Sequence, residues 1–286
     1  MTTATHFKIS GRRCTGLKYI SLGPMWRLKI GIFRFLALLF SSLDRYLSLP
    51  IPRRPTSSIT IPRQSRKPGQ DLKIYFYTPA GYNQKGKVPF VVNFHGGGYM
   101  LGSAKDDARW ASFVTDRLDV VFISVEYGLA PEHPFPGAIN DGVQVIQWLW
   151  KHANEYGLDP SRTVISGSSA GGTLSLAVSI QLHDAMNTSR GPEAEARKLQ
   201  GKICGIISFY PGVDWTQSRA ERTASNPVSA SKSPISPSLF DLFDNSYLGP
   251  LGERPDMSSP LLSPGRASDK ILCEALPEIL ALYSCE

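Results

Sequence analysis

The sequence is poor in the residues that build disulfide-bonded or metal-centred folds. It has four cysteines, Cys14, Cys204, Cys273 and Cys285, and their separations do not match the closely spaced ligand pairs of zinc sites. Two of them lie in apolar, strand-like segments, so we expect buried free thiols rather than disulfides. This favours a reducing, intracellular location, either cytoplasmic or at a membrane surface, and it implies no metal ion.

The chain also lacks an apolar run long enough to cross a bilayer, which takes about 20 residues. Its most apolar stretch, Met25 to Leu49, is interrupted by Arg34, and the same arginine argues against a signal peptide. The spacing of the apolar residues predicts a helix. Two interpretations stay open: a cap packed over the mouth of a site, or an amphipathic helix in contact with a membrane surface.

Acidic residues are scarce in the first third of the chain. The formal net charge of +7 therefore comes from basic residues before Lys87, and the remainder is close to neutral. A positive leader on a neutral body does not predict a nucleic-acid-binding surface, and we expect no nucleic-acid partner. We interpret residues 1–70 as a basic leader that carries the helix, and residues 71–286 as one globular domain.

From Asp71 onwards, apolar strand-like segments alternate with amphipathic helical segments. The predicted strands are 71–79, 87–94, 119–127, 162–166, 202–210 and 276–285, and the predicted helices are 105–117, 138–156 and 171–182. This alternation predicts an α/β fold with a mostly parallel, doubly wound sheet, in which ligands bind at the carboxyl ends of the strands. The Ser/Pro-rich stretch Thr216 to Ser238 has little periodicity and is expected to form an excursion that supplies part of a lid.

A strand, a sharp turn and a helix are predicted from Thr163 to Leu182. The turn contains Gly167-Ser168-Ser169-Ala170-Gly171, which matches the G-x-S-x-G motif in the context that the motif requires. Small neighbours let a crowded turn expose the hydroxyl of Ser169, which makes this serine the candidate nucleophile. The alternative is a Gly/Ser-rich connection that carries no chemistry.

Three consecutive glycines follow another predicted strand, in His95-Gly96-Gly97-Gly98-Tyr99. Alone, this loop is compatible with a flexible turn or with a phosphate cradle. Combined with the serine turn, it is better interpreted as an oxyanion hole, in which the amides of Gly97 and Gly98 join the amide of Ala170.

Three motifs in this order and spacing resemble one known family. They are HGGGYMLGS at 95–103, VEYGLAPEHPFPGAINDG at 125–142 and GSSAGG at 167–172, and they are similar to the hormone-sensitive-lipase-like branch of α/β-hydrolases. The resemblance implies an α/β-hydrolase fold with an N-terminal helical cap. It also implies a serine carboxylesterase that acts on small esters without a cofactor. The whole sequence further resembles fungal members found in secondary-metabolite (toxin) biosynthesis.

Two positions depart from the pattern of this branch. Ser168 stands where the branch commonly has aspartate, and Gly128 stands where it commonly has arginine. Both departures remove charged support from behind the site, and neither removes the candidate nucleophile.

The partners of the serine are harder to assign. In α/β-hydrolases the order is serine, acid, histidine, and the acid would fall just past Glu286. We therefore expect a C-terminally truncated domain without its final strand. The five histidines are His6, His95, His133, His152 and His183. Only His183 follows Ser169, and it lies about 21 Å along the same helix. His95 is expected to support the glycine loop, so no catalytic acid or histidine is assigned.

Three functions remain open at this stage. The first is a carboxylesterase whose present chain has low or no activity, because an unactivated serine is a poor nucleophile. The second is a pseudoenzyme that binds a small ligand in the same fold. The third is a membrane-surface or partner-binding module led by residues 25–49. The motifs predict neither the acyl group nor the oligomeric state.

Overall fold

The computed structural model describes residues 23–64, 71–188, 201–218, 221, 224, 236–249 and 252–284. Within these residues a seven-stranded sheet is covered by helices. The strands are β1 (Ser57–Ile61), β2 (Leu72–Tyr77), β3 (Val88–Phe94), β4 (Val121–Glu126), β5 (Leu158–Ser168), β6 (Ile203–Phe209) and β7 (Ile279–Tyr283). The helices are α1 (Pro24–Leu47), α2 (Ala108–Arg117), α3 (Gly137–Lys151), α4 (Ala170–Thr188), α5 (Pro237–Leu248) and α6 (Asp269–Ala275), with a 3-10 turn at Pro264–Arg266.

The sheet has the strand order β1-β2-β4-β3-β5-β6-β7. The two pairs that involve β2 are antiparallel, and every pair from β4 to β7 is parallel. The prediction of a mostly parallel α/β sheet is therefore confirmed. Parallel strands need crossover connections, and the helices that form them cover the faces of the sheet.

Alternate residues of β3 are buried on opposite faces of the sheet. Phe90, Val92 and Phe94 belong to the main core together with residues of α3 and α4. Val91 packs on the other face, in a cluster that contains residues of α2. Because both faces are covered, the central strands are apolar throughout, as their sequences predicted.

The sequence analysis missed three elements, the strand β1 and the helices α5 and α6. The edge strand β1 lies before Asp71, in a region interpreted as leader, and it pairs antiparallel with β2. Its five residues are too few to show a clear alternation in a proline-rich context. Helix α5 was also missed, although the Ser236 hydroxyl accepts a hydrogen bond from the Leu239 amide at its first turn. Much of the stretch 216–238 lies outside the described residues, so the lid stays a prediction.

The cysteines differ in part from expectation. Cys204 and Cys273 are free thiols, as predicted. Cys204 is half-buried, whereas Cys273 is exposed because it lies on the outer side of the short helix α6, so the expectation of burial is wrong for Cys273. Cys14 and Cys285 lie outside the described residues.

The helix predicted at residues 25–49 is present as α1, and three of its side chains, Arg34, Asp44 and Arg45, make ion pairs with the body of the protein. The Arg34 guanidinium donates to the carbonyl oxygens of Met100 (3.1 Å) and Ala130 (2.7 Å) and to both carboxylate oxygens of Glu132. Ile30, the buried residue of this helix, packs in a small cluster with Met100 and Phe243. Among the described helices, none has the length and apolar content needed to cross a membrane.

Replacing Arg34 by alanine should loosen the middle of α1, while the Arg45–Asp106 and Asp44–Arg109 ion pairs still hold its C-terminal end. We expect the free energy of local opening of α1 to fall by about 1–3 kcal/mol, because several charge-assisted hydrogen bonds are lost while little apolar burial holds the helix. Amide hydrogen exchange along residues 24–47 measures this opening. Arg27→Ala is the matched control, because the Arg27 side chain makes no hydrogen bond or ion pair with a described residue. Equal protection in both variants would contradict the assignment of Arg34 as an anchor of α1.

Candidate active site

Ser169 lies between the end of β5 and the start of α4. Its φ is +52°, a left-handed conformation that costs free energy for a residue with a side chain. The conformation is held by the Ser169 amide, which donates to the Phe209 carbonyl at 2.9 Å, and by the Ser169 carbonyl, which accepts from the Thr173 amide at 3.0 Å. The side chain is half-buried and therefore still reachable from solvent. The strand–turn–helix predicted around this serine is confirmed.

The turn requires glycine because three backbone segments meet there. A Cβ on Gly171 would overlap the Phe94 carbonyl oxygen at the end of β3, and a Cβ on Gly167 would overlap the backbone of Gly171. A Cβ on Gly172 would lie 2.7 Å from the Ser208 hydroxyl of β6. The spacing of small residues in G-x-S-x-G is therefore a packing requirement at this site.

The glycine loop follows β3 in a left-handed conformation. Gly97, Gly98 and Tyr99 have φ values of +115°, +59° and +60°. The Gly97 carbonyl accepts hydrogen bonds from the amides of Met100 and Leu101, which closes a tight turn. A Cβ on Gly98 would run into the ring of Phe243 in α5. There is thus no room for a side chain at Gly98, and the backbone at this position can approach other groups closely.

The glycine loop and the serine turn lie side by side. Strands β3 and β5 are parallel neighbours, and Phe94 lies opposite Gly167, so both loops leave the same edge of the sheet. A Cβ on Gly96 would lie 3.1 Å from the Ser168 carbonyl oxygen and 3.6 Å from the Ser169 Cβ. The first glycine of the loop therefore contacts the turn. The roles assigned to Gly97, Gly98 and Ala170 as oxyanion donors stay predictions.

His95 and Tyr127 support the glycine loop from below. The Tyr127 hydroxyl donates to the His95 carbonyl at 2.8 Å, and the two rings stack with centroids 4.2 Å apart. The His95 ring is fully buried, and its Nδ1 lies 2.8 Å from the Gly96 carbonyl, to which it donates. Burial raises the pKa of Tyr127, which keeps its hydroxyl protonated as a donor.

A buried polar chain joins the ends of β3 and β5. The Ser166 hydroxyl donates to the Asn93 side-chain carbonyl at 2.7 Å, and the Asn93 amide donates to the Asp107 carboxylate at 2.8 Å. Burial raises the pKa of Asp107, while the hydrogen bond from Asn93 and the nearby His95 act to lower it. This network was not predictable from the sequence, because its members are short polar residues inside or beside apolar strands.

A buried ion pair lies where the charged support was expected to be absent. Arg63, from the segment after β1, contacts the Asp141 carboxylate at 3.0 Å, and both side chains are almost fully buried. The same carboxylate accepts from the Gly128 amide at 2.8 Å. The His133 ring occupies the space beside Gly128 and lies against the Arg63 guanidinium. The Arg63 guanidinium thus acts on Gly128 through Asp141, and a lone arginine in a proline-rich segment does not predict this arrangement.

No described side chain donates to or accepts from the Ser169 hydroxyl. The His133 ring contacts Arg63, His152 is bonded to the Trp148 carbonyl, and His183 lies beside Asn187. His95 is directed at the Gly96 carbonyl rather than at the serine. Among the described residues, no three His, Cys, Asp or Glu side chains are arranged to hold a metal ion. His6 lies outside the described residues.

Comparison with known families matches residues 91–284 to the family described as alpha/beta hydrolase fold. The chain belongs to this family. It is 31% identical over 199 residues to the carboxylic ester hydrolase LipN of Mycobacterium tuberculosis, a match that covers 69% of this chain and 48% of LipN. It is 31% identical over 135 residues to the versiconal hemiacetal acetate esterase of Aspergillus parasiticus, covering 47% of this chain and 37% of that esterase.

A solved hydrolase has the same fold. The thermostable carboxylesterase EstE1, cloned from a metagenomic library, superposes with a TM-score of 0.68 at 22% identity, covering 90% of this chain and 87% of EstE1. The chain spans less than half the length of the curated relatives that it matches. The resemblance to the hormone-sensitive-lipase-like branch is confirmed at the level of family and fold.

The close packing around Gly171 can be tested by substitution. Gly171→Ala should lower the free energy of unfolding by about 3 kcal/mol or more, because the new methyl group overlaps backbone that cannot move aside. Chemical denaturation measures the loss. Gly205→Ala in β6 is the control, since its nearest neighbours would lie at 3.6 Å and beyond, and it should change stability by less than about 1 kcal/mol. Similar costs for the two variants would contradict the account.

A second prediction concerns the buried ion pair between Arg63 and Asp141. Arg63→Ala should cost about 3–5 kcal/mol of unfolding free energy, because it leaves the Asp141 carboxylate buried without its guanidinium. The control is Arg266→Ala, which removes an exposed pair with Asp214 and should cost less than about 1 kcal/mol. If the two substitutions cost the same, Arg63 does not carry the charged support of Gly128.

Proposed function

We propose that this protein is a serine carboxylester hydrolase that acts on small esters. The observation that carries the proposal is the strained Ser169, whose Cβ lies beside the glycine loop at the carboxyl edge of the sheet. In this arrangement the Ser169 hydroxyl oxygen attacks the ester carbonyl carbon. The amides of Gly97, Gly98 and Ala170 then stabilise the negative oxygen of the tetrahedral intermediate.

The start of α4 adds to this stabilisation. Ala170 is the first residue of that helix, so its amide has no partner within the helix. The positive end of the helix dipole lies at the same point and favours an anion there. The alcohol leaves as the carbonyl reforms, the serine becomes an acyl ester, and water releases the acid in a second step.

The name of one relative supports an ester with a small acyl group as the substrate. The esterase of Aspergillus parasiticus is named for an acetate ester, which supports a small acyl group here. We extend the proposal to a role in fungal secondary metabolism, based on the resemblance to fungal members of the family. A cytoplasmic or membrane-surface location is part of the same proposal.

Low turnover by the 286-residue chain is also part of the proposal. It is supported by the Ser169 hydroxyl, which has no histidine or carboxylate partner among the described residues. An intact catalytic triad contributes roughly a million-fold to turnover, while the oxyanion hole and binding alone retain roughly a thousand-fold over water. The same feature supports the alternative function, a non-catalytic protein that binds a small ligand in this fold.

Acylation of the serine separates the two functions. With p-nitrophenyl acetate, we expect slow release of about one equivalent of p-nitrophenolate and an acetyl group on Ser169, located by mass spectrometry, with weak steady-state hydrolysis. The hydroxyl proton passes to water in this step. Ser169→Ala should abolish the adduct, because it removes the attacking oxygen.

Ser168→Ala is the matched control for this experiment. It removes the neighbouring hydroxyl and should leave acetylation of Ser169 in place. Binding of the ester without any adduct would favour the pseudoenzyme. Rapid turnover that Ser169→Ala abolishes would contradict low activity and would require a base, with His95 the first histidine to test.

A further inference from the structure

Helix α1 turns mainly polar side chains towards the body of the protein and apolar side chains towards the solvent, which is the reverse of an ordinary surface helix. Arg34, Ser41, Ser42 and Arg45 face the body of the protein, and Ile30 is its one buried apolar residue. On the opposite side an exposed row recurs every three or four residues, which we call the outer stripe: Leu28, Ile32, Phe35, Leu39, Leu43 and Tyr46. Surface helices normally bury the apolar side. We therefore expect another apolar surface to cover the outer stripe.

The apolar surface is broader than this stripe. Twelve large apolar side chains of α1 are between 37% and 76% exposed. At 3.6 residues per turn they span roughly 220° of the helix circumference over roughly 36 Å of length. A single partner helix would cover only a narrow part of this face, because helix pairs contact each other at about two of every seven residues. A lipid surface contacts a wide apolar face along its whole length, and an exposed patch of this size is typical of such a contact.

Basic residues accumulate at the start of the helix. Residues 1–29 contain six Lys or Arg and no Asp or Glu. Two of the six, Arg27 and Lys29, lie in the first turns of α1 and are exposed. Positive charge beside an apolar face complements anionic phospholipid headgroups.

A second basic group lies just past the other end of the helix. A cavity of about 650 Å³ is lined by Arg45, Arg53, Arg54, Lys73 and Lys105 and by no acidic residue. Arg45 and Arg53 pair with Asp106 and Asp116. The other three cations make no ion pair with a described acidic residue, so their charge is available to an external anion.

Apolar and polar groups continue from the outer stripe into this cavity. Tyr46 and Ile51 line the cavity and are also strongly exposed. Tyr77 lines it too, and its buried hydroxyl has no hydrogen-bond partner among the described residues. Burial raises the pKa of Tyr77, so this hydroxyl remains a donor for a phosphate oxygen. The cavity thus offers cations and a free donor next to an apolar surface.

We propose that α1 docks the protein on an anionic phospholipid bilayer. The outer stripe lies at the boundary of the acyl chains, and the basic cavity and the basic start of the helix contact headgroup phosphates. Arg34 connects α1 to the Met100 carbonyl, just after the glycine loop, so the docked helix lies next to the candidate active site. The proposal is independent of the ester chemistry at Ser169.

Vesicle flotation with the full 286-residue chain tests the docking. We expect binding to vesicles of phosphatidylcholine with phosphatidylserine, weaker binding to phosphatidylcholine alone, and a loss of binding at high salt. Replacing both Phe35 and Leu39 by aspartate should weaken binding at least about tenfold. Replacing Arg54, Lys73 and Lys105 by glutamine should weaken it by roughly fivefold per residue, which is about a hundredfold in total.

Leu118→Asp is the matched control, because it changes an equally exposed apolar residue on another element, and it should bind as the parent does. Circular dichroism and the unfolding midpoint show that each variant is folded. Absence of binding by the parent chain, or undiminished binding by the Phe35/Leu39 variant, overturns the proposal.

Light scattering tests whether a second copy of the chain covers the outer stripe instead of a bilayer. A dimer that the same variant separates, with vesicle binding unchanged, would show that α1 pairs two copies and would also overturn it.

Discussion

The candidate site depends on how closely the turn after β5 approaches the end of β3. The Phe94 carbonyl oxygen occupies the space that a Cβ of Gly171 would need, and Gly167 packs directly on the backbone of Gly171. This contact is made by backbone alone, and it fixes the distance between the two loops. Ser169 takes its strained conformation at the centre of the same contact. The free-energy cost of that strain is offset by the surrounding structure, as at many functional sites.

Three side-chain interactions around the two loops stabilise the contact between them. The Ser166–Asn93 hydrogen bond joins the two strands, Tyr127 fixes the His95 carbonyl, and Arg63 neutralises Asp141 beside the Gly128 amide. Each support comes from a different part of the chain. The glycine loop therefore has little freedom to move relative to Ser169. Such rigidity suits a site in which backbone amides stabilise a developing charge, because fixed donors need no reorganisation during the reaction.

The sequence predicted those features that depend on local patterns. Apolar runs bounded by turn residues located β2 to β7, and the order of glycines around Ser169 predicted the turn, because both signals lie within a few residues. The pairing of Arg63 with Asp141, which accepts from the Gly128 amide, was not predictable, since it joins distant segments and involves a single arginine. The direction of α1 was not predictable either. Periodicity shows that a helix has an apolar side, but it does not tell which side the body of the protein will contact.

The fold around Ser169 does not by itself make the serine reactive, because a reactive serine also needs a base as hydrogen-bond partner. The backbone segments that we propose as oxyanion donors lie side by side among the described residues, whereas the hydroxyl of Ser169, the proposed nucleophile, has no base as a hydrogen-bond partner among them. A scaffold of this kind can therefore form a covalent adduct slowly and still turn over poorly. Its relatives within the alpha/beta hydrolase fold family include a named carboxylic ester hydrolase, which agrees with the roles proposed for Ser169 and the glycine loop.

A crystal structure with a bound arylboronic acid would show whether Ser169 and the glycine loop act on the same reacting group. Trigonal boron accepts a serine oxygen without expelling a leaving group and then resembles the tetrahedral intermediate. The account predicts boron bonded to the Ser169 Oγ, with one boronate oxygen within about 3.1 Å of the amide nitrogens of Gly97, Gly98 and Ala170. An unmodified Ser169 in crystals that hold the boronic acid elsewhere, or an adduct whose oxygens face away from these amides, would contradict it.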